Sequence, residues 1–337
     1  MAQPDLRAAV DADLTVVGAG PAGLYAAYYS GFRGLSCAVI DALPEPGGQV
    51  AAMYPEKQIY DIAGLPAVRG RDLVNGLLEQ ANKYSPTYLL GSPASGLTHE
   101  PDGTIVVTTE AGGSVRTRAV VITGGIGSFT PRPLPAGRGH EGKGLVYFVP
   151  SLQEMADRDV VIVGGGDSAC DWALSLEGIA RSVTLVHRRA AFRAHAASVD
   201  ALHASSVEVI TDAQVTEISG DDWVESVTIT NKAREQQERK CQAVVAALGF
   251  TADLGPIEQW GLNIVDRQIS VGTTMETGVP RVYAAGDITE YPGKVRLISV
   301  GFGEVATAVC NAATVIDPEA TVFPGHSTEQ QVEGPAA

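Results

Sequence analysis

Cysteine is scarce in this chain. Its 337 residues include four, Cys37, Cys170, Cys241 and Cys310, and no two of them stand close in sequence. That excludes a local CxxC redox pair and a compact zinc knuckle; the expectation is four separate buried thiols in a reducing compartment and no metal site. Positive charge is scarce too: 24 lysines and arginines face 39 aspartates and glutamates, a net charge of -15. A nucleic acid or an anionic membrane surface is therefore a poor partner for the chain as a whole. No apolar run reaches the length of a bilayer span, and residues 1–13 carry no basic region followed by a long apolar one. A soluble cytoplasmic protein, with neither membrane nor nucleic acid among its partners, is the expectation.

Glycine, by contrast, is plentiful at 38 residues, and two stretches of it are organised alike. Gly18-Ala19-Gly20-Pro21-Ala22-Gly23 follows the run Leu14-Thr15-Val16-Val17. Gly164-Gly165-Gly166-Asp167-Ser168-Ala169 follows Val160-Val161-Ile162-Val163. A buried strand that turns through glycines into a helix lets the backbone approach a pyrophosphate at the helix N-terminus, where a larger side chain would obstruct it. In each unit the next strand ends 23 positions after the first glycine, at Asp41 in one and His187 in the other. Asp41 can accept hydrogen bonds from an adenosine ribose. His187, Arg188 and Arg189, with Arg193 a turn further on, would instead fork charge-assisted bonds onto a 2′-phosphate that a carboxylate would repel. The first turn reads as the site of a dinucleotide without that phosphate. The second reads as a site for NADP(H), with Gly164, Gly166, Asp167 and Ser168 at the phosphates.

Whole units repeat as well as motifs. After each glycine turn comes a helix, a second strand, and later an antiparallel meander, here expected around residues 96–117 and 207–246. The fold class that follows is α/β, with two Rossmann-like, three-layer dinucleotide-binding domains, the second inserted in the first. The boundaries expected are 1–125 plus 280–337 for the first and 130–278 for the second. A short apolar strand ending in Gly286-Asp287 returns to the first domain, because the second already has its strands. Asp287 could there hold ribityl or ribose hydroxyls, and an apolar helix pattern over 297–316, broken at Gly301 and Gly303, follows it. The Pro- and Gly-rich segment after Asp41 is long and irregular, and loops of that kind are usually functional. Gln49 and Tyr54 are its best candidates for touching a planar cofactor. Residues 330–337 read as an unstructured tail.

Taken together, these motifs resemble the ferredoxin (or flavodoxin)-NADP+ reductases of the thioredoxin-reductase-like type, over nearly the whole chain. The narrowest marks are Tyr54-Pro55-Glu56-Lys57, following Gly47-Gly48-Gln49, and Gly325-His326-Ser327 near the end. The resemblance implies FAD in the domain built from both chain ends and NADP(H) in the inserted one. FAD contacts would fall to Gly18, Gly20, Ala22, Gly23, Asp41, Gln49, Tyr54, Ala94, Phe129, Asp287 and Thr328. Tyr54 and His326 would cover the two flavin faces as the catalytic pair. Hydride exchange between NADPH and FAD would precede single-electron transfer to ferredoxin or flavodoxin, in a homodimer. An acidic carrier would need a local basic surface, for which Lys57, Arg69, Arg71, Arg132 and Arg296 are candidates. A thioredoxin reductase of this type would carry a CxxC shortly before the second turn, and residues 139–150 contain no cysteine. Other readings are an NADPH-dependent flavoprotein reducing a quinone or other small acceptor, a flavin-based redox sensor, and a cofactor-free scaffold.

Overall fold

The computed structural model describes residues 6–149 and 151–328, so the tail expected at 330–337 lies outside the described residues. The chain divides into two compact units, residues 1–51, 57–128 and 253–337 in the first and 52–56 and 129–252 in the second. Both are α/β, each built on a parallel sheet.

In the first unit, strands Thr87–Leu90, Cys37–Asp41, Ala9–Val17, Ser114–Ile122 and Val282–Ala284 run parallel in that spatial order. Leu14, Val16, Ala38, Val39, Ile40 and 119–122 are shut off from solvent entirely. Strands covered on both faces read as unbroken apolar runs rather than alternating ones, which is why these were visible in the sequence. Ile105–Thr109 and Ala94–His99 extend the sheet antiparallel. Helix Pro21–Phe32 begins with proline at its first turn, where the fixed φ suits a helix start, and packs against helices Gly70–Asn82 and Ile298–Ile316.

In the second unit the parallel order is Leu145–Val146, Ala243–Ala247, Asp159–Gly164, Ser182–Val186 and Glu208–Ile210. An antiparallel sheet of Ala213–Ser219, Ser226–Asn231 and Gln236–Lys240 accompanies it. Val160, Ile162, Leu176, Leu185 and Leu202 form the heart of one core cluster. Each such side chain contributes roughly 1.5–3 kcal/mol by leaving water.

Four differences from the sequence expectations have physical causes. Residues 253–278, expected in the inserted domain, group with the first unit. There Ile264–Val265 pairs with Gln268–Ser270, which in turn pairs with Thr289–Glu290 beside the Gly286-Asp287 turn. The meander expected to end at 117 instead runs on to 122 as one strand, Ser114–Ile122, since Arg118 does not interrupt the extended backbone. Gly301 and Gly303 do not break helix Ile298–Ile316, whose packing holds it continuous. Helices Gly48–Met53 and Ala196–Ala204 and strand Gln236–Lys240 are among the elements not anticipated.

Helix Ile298–Ile316 is long and apolar enough to cross a membrane by length and composition. It is instead a core helix of the first unit, in contact with helix Pro21–Phe32 and strand Ser114–Ile122. The four cysteines are all buried and unbridged. Among the described residues no group of His, Cys, Asp and Glu has the makings of a metal site.

Candidate functional site

The first glycine turn is built by close approach. Gly18 has φ +112, and a Cβ there would lie 2.7 Å from the Thr123 carbonyl oxygen; at Gly23 it would lie 1.7 Å from the Gly18 oxygen. Those two glycines press the helix start onto the strand ends. Gly20 differs, for its added Cβ would meet nothing nearer than the Gly48 Cα at 3.9 Å. Gly20 is also the N-cap, and no side chain caps the helix there. The first-turn N–H donors are therefore left for an anion, which the helix dipole favours.

Around this turn the structure gathers most of the residues expected at FAD. Asp41 accepts the Ala19 N–H and, at 2.7 Å, the Leu43 N–H, so its carboxylate ties the second strand to the turn. Burial pushes the Asp41 carboxyl up, against the pull of those two donors. The Gly47 N–H donates to the Ala19 oxygen at 2.8 Å. Gln49, one residue past Gly48, places its amide nitrogen 2.8 Å from where a Cβ on Gly125 would be. Ala22 stands 3.3 Å from the corresponding point on Gly286, which brings Gly286-Asp287 to the start of the helix. Asp287 is half-buried; burial pushes its carboxyl up, Lys294 and Arg296 pull it down, and Glu304 pushes it up again.

The second turn has the same division of labour among its glycines. A Cβ on Gly164 would lie 2.5 Å from the Ala247 oxygen, and one on Gly165 would lie 2.1 Å from the His187 ring. At Gly166 it would meet nothing within 4 Å. Gly166 is again an N-cap with no capping side chain, opening helix Asp167–Leu176. The loop that follows the next strand is fastened back onto the turn: the Arg193 N–H donates to the Gly165 oxygen at 2.8 Å, and the His195 N–H to Asp167 Oδ1 at 2.8 Å. His187 is 6% exposed, stacked on Phe192 with ring centroids 5.1 Å apart, and its Nε2 is 3.1 Å from the Ala191 oxygen. Its ring supports the glycine turn from beneath, whereas Arg188, Arg189, Arg193 and Ser168 are exposed around it.

The remaining expected residues lie on other elements. Tyr54 is half-buried in the segment 52–56, which groups with the second unit. Phe129 belongs to that unit also and packs edge-on against Phe148 and Phe250 at 6.3 and 6.2 Å. Ala94 is buried opposite Thr109 at the start of its strand. The C-terminal segment is anchored by Arg33, whose guanidinium donates to the Thr321 and Val322 carbonyls at 2.7 and 3.1 Å. Beyond it His326 is exposed, its ring edge-on to Phe323 at 5.1 Å, and Thr328 is exposed as well. Of the basic residues considered for carrier docking, Arg69 pairs with Asp72 at 3.0 Å and Arg296 with Glu290 at 3.2 Å.

Sequence reasoning missed the support beneath these turns. Gly47 and Gly48, which the sequence showed only as part of a family motif, carry the chain across the Gly18–Gly20 turn at φ +115 and +55. Glu304 was missed also, although it is the only charged residue of helix Ile298–Ile316.

Two parallel sheets, each turning through glycines into an uncapped helix, with a carboxylate behind one turn and arginines beside the other, define a protein of the two-dinucleotide-binding class. A family model for pyridine nucleotide-disulphide oxidoreductases matches residues 12–311, and the chain belongs to that family. A protein named ferredoxin–NADP reductase from Frankia alni is 64% identical over 94% of this chain and 98% of its own length. One of the same name from Frankia casuarinae is 62% identical over 95% and 100%. Among solved structures, a thioredoxin reductase from T. acidophilum superposes with a TM-score of 0.72 at 26% identity, covering 90% of this chain and 98% of that one.

Proposed function

We propose that the chain is a ferredoxin (or flavodoxin)-NADP+ oxidoreductase, with FAD held at the Gly18–Gly23 turn and NADP(H) at the Gly164–Ala169 turn. The observation that carries this reading is the contrast between two like-built turns, one backed by the Asp41 carboxylate and the other flanked by exposed Arg188 and Arg189. The near-full-length likeness to proteins named ferredoxin–NADP reductase supports it.

Bound FAD would supply the exchange between one two-electron hydride and two single electrons, which no side chain of this protein could perform. The residues bind and orient. Uncapped N–H donors after Gly20 and Gly166 take the two pyrophosphates, and Asp41 and Asp287 take ribose and ribityl hydroxyls. Gln49 takes a polar ring edge, and Arg188, Arg189 and Arg193 hold the 2′-phosphate. Tyr54 and His326 remain the residues proposed to cover the flavin. A homodimer in the cytoplasm is the assembly and place expected, and sedimentation of the purified chain tests the first.

The experiment is an absorbance spectrum of the purified chain, then its reduction by NADPH against NADH, then turnover with ferredoxin, flavodoxin, a quinone and a disulfide. A yellow protein reduced faster by NADPH and turning over a protein carrier is expected. Failure of both carriers overturns the reading.

The likeness to thioredoxin reductases raises disulfide reduction as a second activity, and the thiols argue against it. Burial pushes Cys37 up to about 12, Cys170 up to about 11 with Asp171 and Asp167 adding to it, and Cys241 up to about 12. A thiolate is the reactive form, so such thiols are inert near neutral pH. The native protein should take up no alkylating reagent within minutes at pH 8, and alkylation conditions should leave carrier reduction unchanged. Rapid labelling of a cysteine together with NADPH-dependent disulfide reduction would reverse that conclusion.

A further inference from the structure

Glu304 sits inside an otherwise uncharged helix with its side chain 5% exposed, and its partner Lys294 is 2% exposed. A buried charge is tolerated only when paired and hydrogen-bonded, and here both conditions are met. What the pair holds is a single residue, by the peptide groups on either side of its Cα. Glu304 Oε2 accepts the Gly286 N–H at 2.7 Å, while Lys294 Nζ donates to the Gly286 carbonyl oxygen at 3.0 Å. Thr289 donates its hydroxyl to the same oxygen at 2.7 Å. The Tyr291 hydroxyl donates to Glu304 Oε1 at 2.5 Å, and the ammonium lies 5.4 Å from the Tyr291 ring centre. Gly286 itself is at φ +85, between Ala22 and Gly301, whose added Cβ would be 3.4 Å from the Gly286 Cα.

Buried ion pairs often add nothing to stability compared with apolar residues of the same size, so a pair that grips the two peptide groups flanking one Cα invites a positional explanation. We propose that Lys294 and Glu304, with Thr289 and Tyr291, are positioning residues that clamp the Gly286-Asp287 turn in the form that receives FAD. The Gly286 N–H belongs to the peptide group before its Cα and the carbonyl to the one after it, so gripping both fixes φ and ψ at Gly286 and therefore the direction in which Asp287 leaves the turn. Gly301 completes the clamp by letting the Glu304 helix come close. None of the four side chains needs to touch the cofactor. The inference rests on FAD being bound at this turn.

The test uses apoprotein and titrates FAD by quenching of its fluorescence. Variants are Lys294→Met/Glu304→Gln, which removes both charges at once, and Thr289→Val, which keeps shape and loses the hydroxyl's bond to the Gly286 oxygen, leaving the backbone N–H of residue 289 donating there at 3.0 Å. Asp287→Ala serves as the reference for direct contact. The double variant should keep the circular dichroism of the wild type and weaken FAD at least tenfold; Thr289→Val should weaken it about threefold. Because the clamp works through Asp287, adding Asp287→Ala to the double variant should cost much less affinity than it costs the wild type. If the double variant does not fold, Thr289→Val decides alone. FAD affinity within twofold of wild type in the folded variants, or a full multiplicative loss with Asp287→Ala, overturns the clamp. A wild-type chain with no affinity for FAD would instead remove the cofactor reading beneath it.

Discussion

Replacing Arg188 and Arg189 together by alanine should raise the KM for NADPH about 100-fold and leave that for NADH within about twofold. Hydrogen bonds to a charged group are worth roughly 1.5–3 kcal/mol each, and every 1.4 kcal/mol is tenfold, so two guanidinium contacts to one phosphate account for that range even after solvent weakens them. Both arginines are exposed, and neither belongs to the core beneath the turn, so the fold should be untouched. Steady-state kinetics with both nucleotides, at two salt concentrations, check it. The NADPH effect should shrink as salt rises, because exposed charges are screened. Equal losses for NADPH and NADH would show that the pair steadies the loop and does not read the 2′-phosphate. His187 supplies the contrast. Its ring lies under Gly165 against Phe192, so its replacement should disturb both nucleotides alike.

That contrast shows where sequence reasoning reaches its limit. The glycine turns were legible because their chemistry is local: a strand of unbroken apolar residues, a glycine where a side chain would collide, and a fixed offset to the next strand's end. Asp41 and the arginines were legible by that offset. The offset could not say which way a side chain points, and so it put His187 among the phosphate ligands when the ring is packed beneath the turn. Helix Ala196–Ala204 buries only Leu202, so it has good helix formers but no apolar period to read. Strand Gln236–Lys240, Gln-Gln-Glu-Arg-Lys, is a charged edge strand, a composition that protects an edge and hides the strand from a search for alternating apolar residues. The grouping of residues 253–278 with the first unit depends on pairing to Thr289–Glu290, a contact no local pattern announces. Glu304 was visible as an oddity in an apolar helix, and only the fold supplies Lys294 and Gly286 as its reasons.

Gly20→Ala and Gly23→Ala should fail in opposite ways, and the pair separates what the first turn does for the fold from what it does for a ligand. At Gly23 the new methyl would fall 1.7 Å from the Gly18 oxygen and 2.8 Å from Thr123 Oγ1, which itself donates to the Gly18 oxygen at 2.8 Å. These neighbours are mostly backbone, so the helix must move off the strand ends. Overpacking of this kind typically costs about 1–3 kcal/mol or more, and the purified protein should be less stable and carry little flavin. At Gly20 the nearest atom is the Gly48 Cα at 3.9 Å, and the backbone, φ -69 and ψ -176, is one any residue adopts. The apoprotein should therefore fold and melt as the wild type does. Its methyl would stand in the space through which a pyrophosphate approaches the uncapped helix, and FAD affinity should fall at least tenfold. Melting of the two apoproteins and fluorescence titration with FAD give the comparison. Wild-type affinity in Gly20→Ala would mean that the cofactor does not come to the backbone at this turn, whatever the fate of Gly23→Ala.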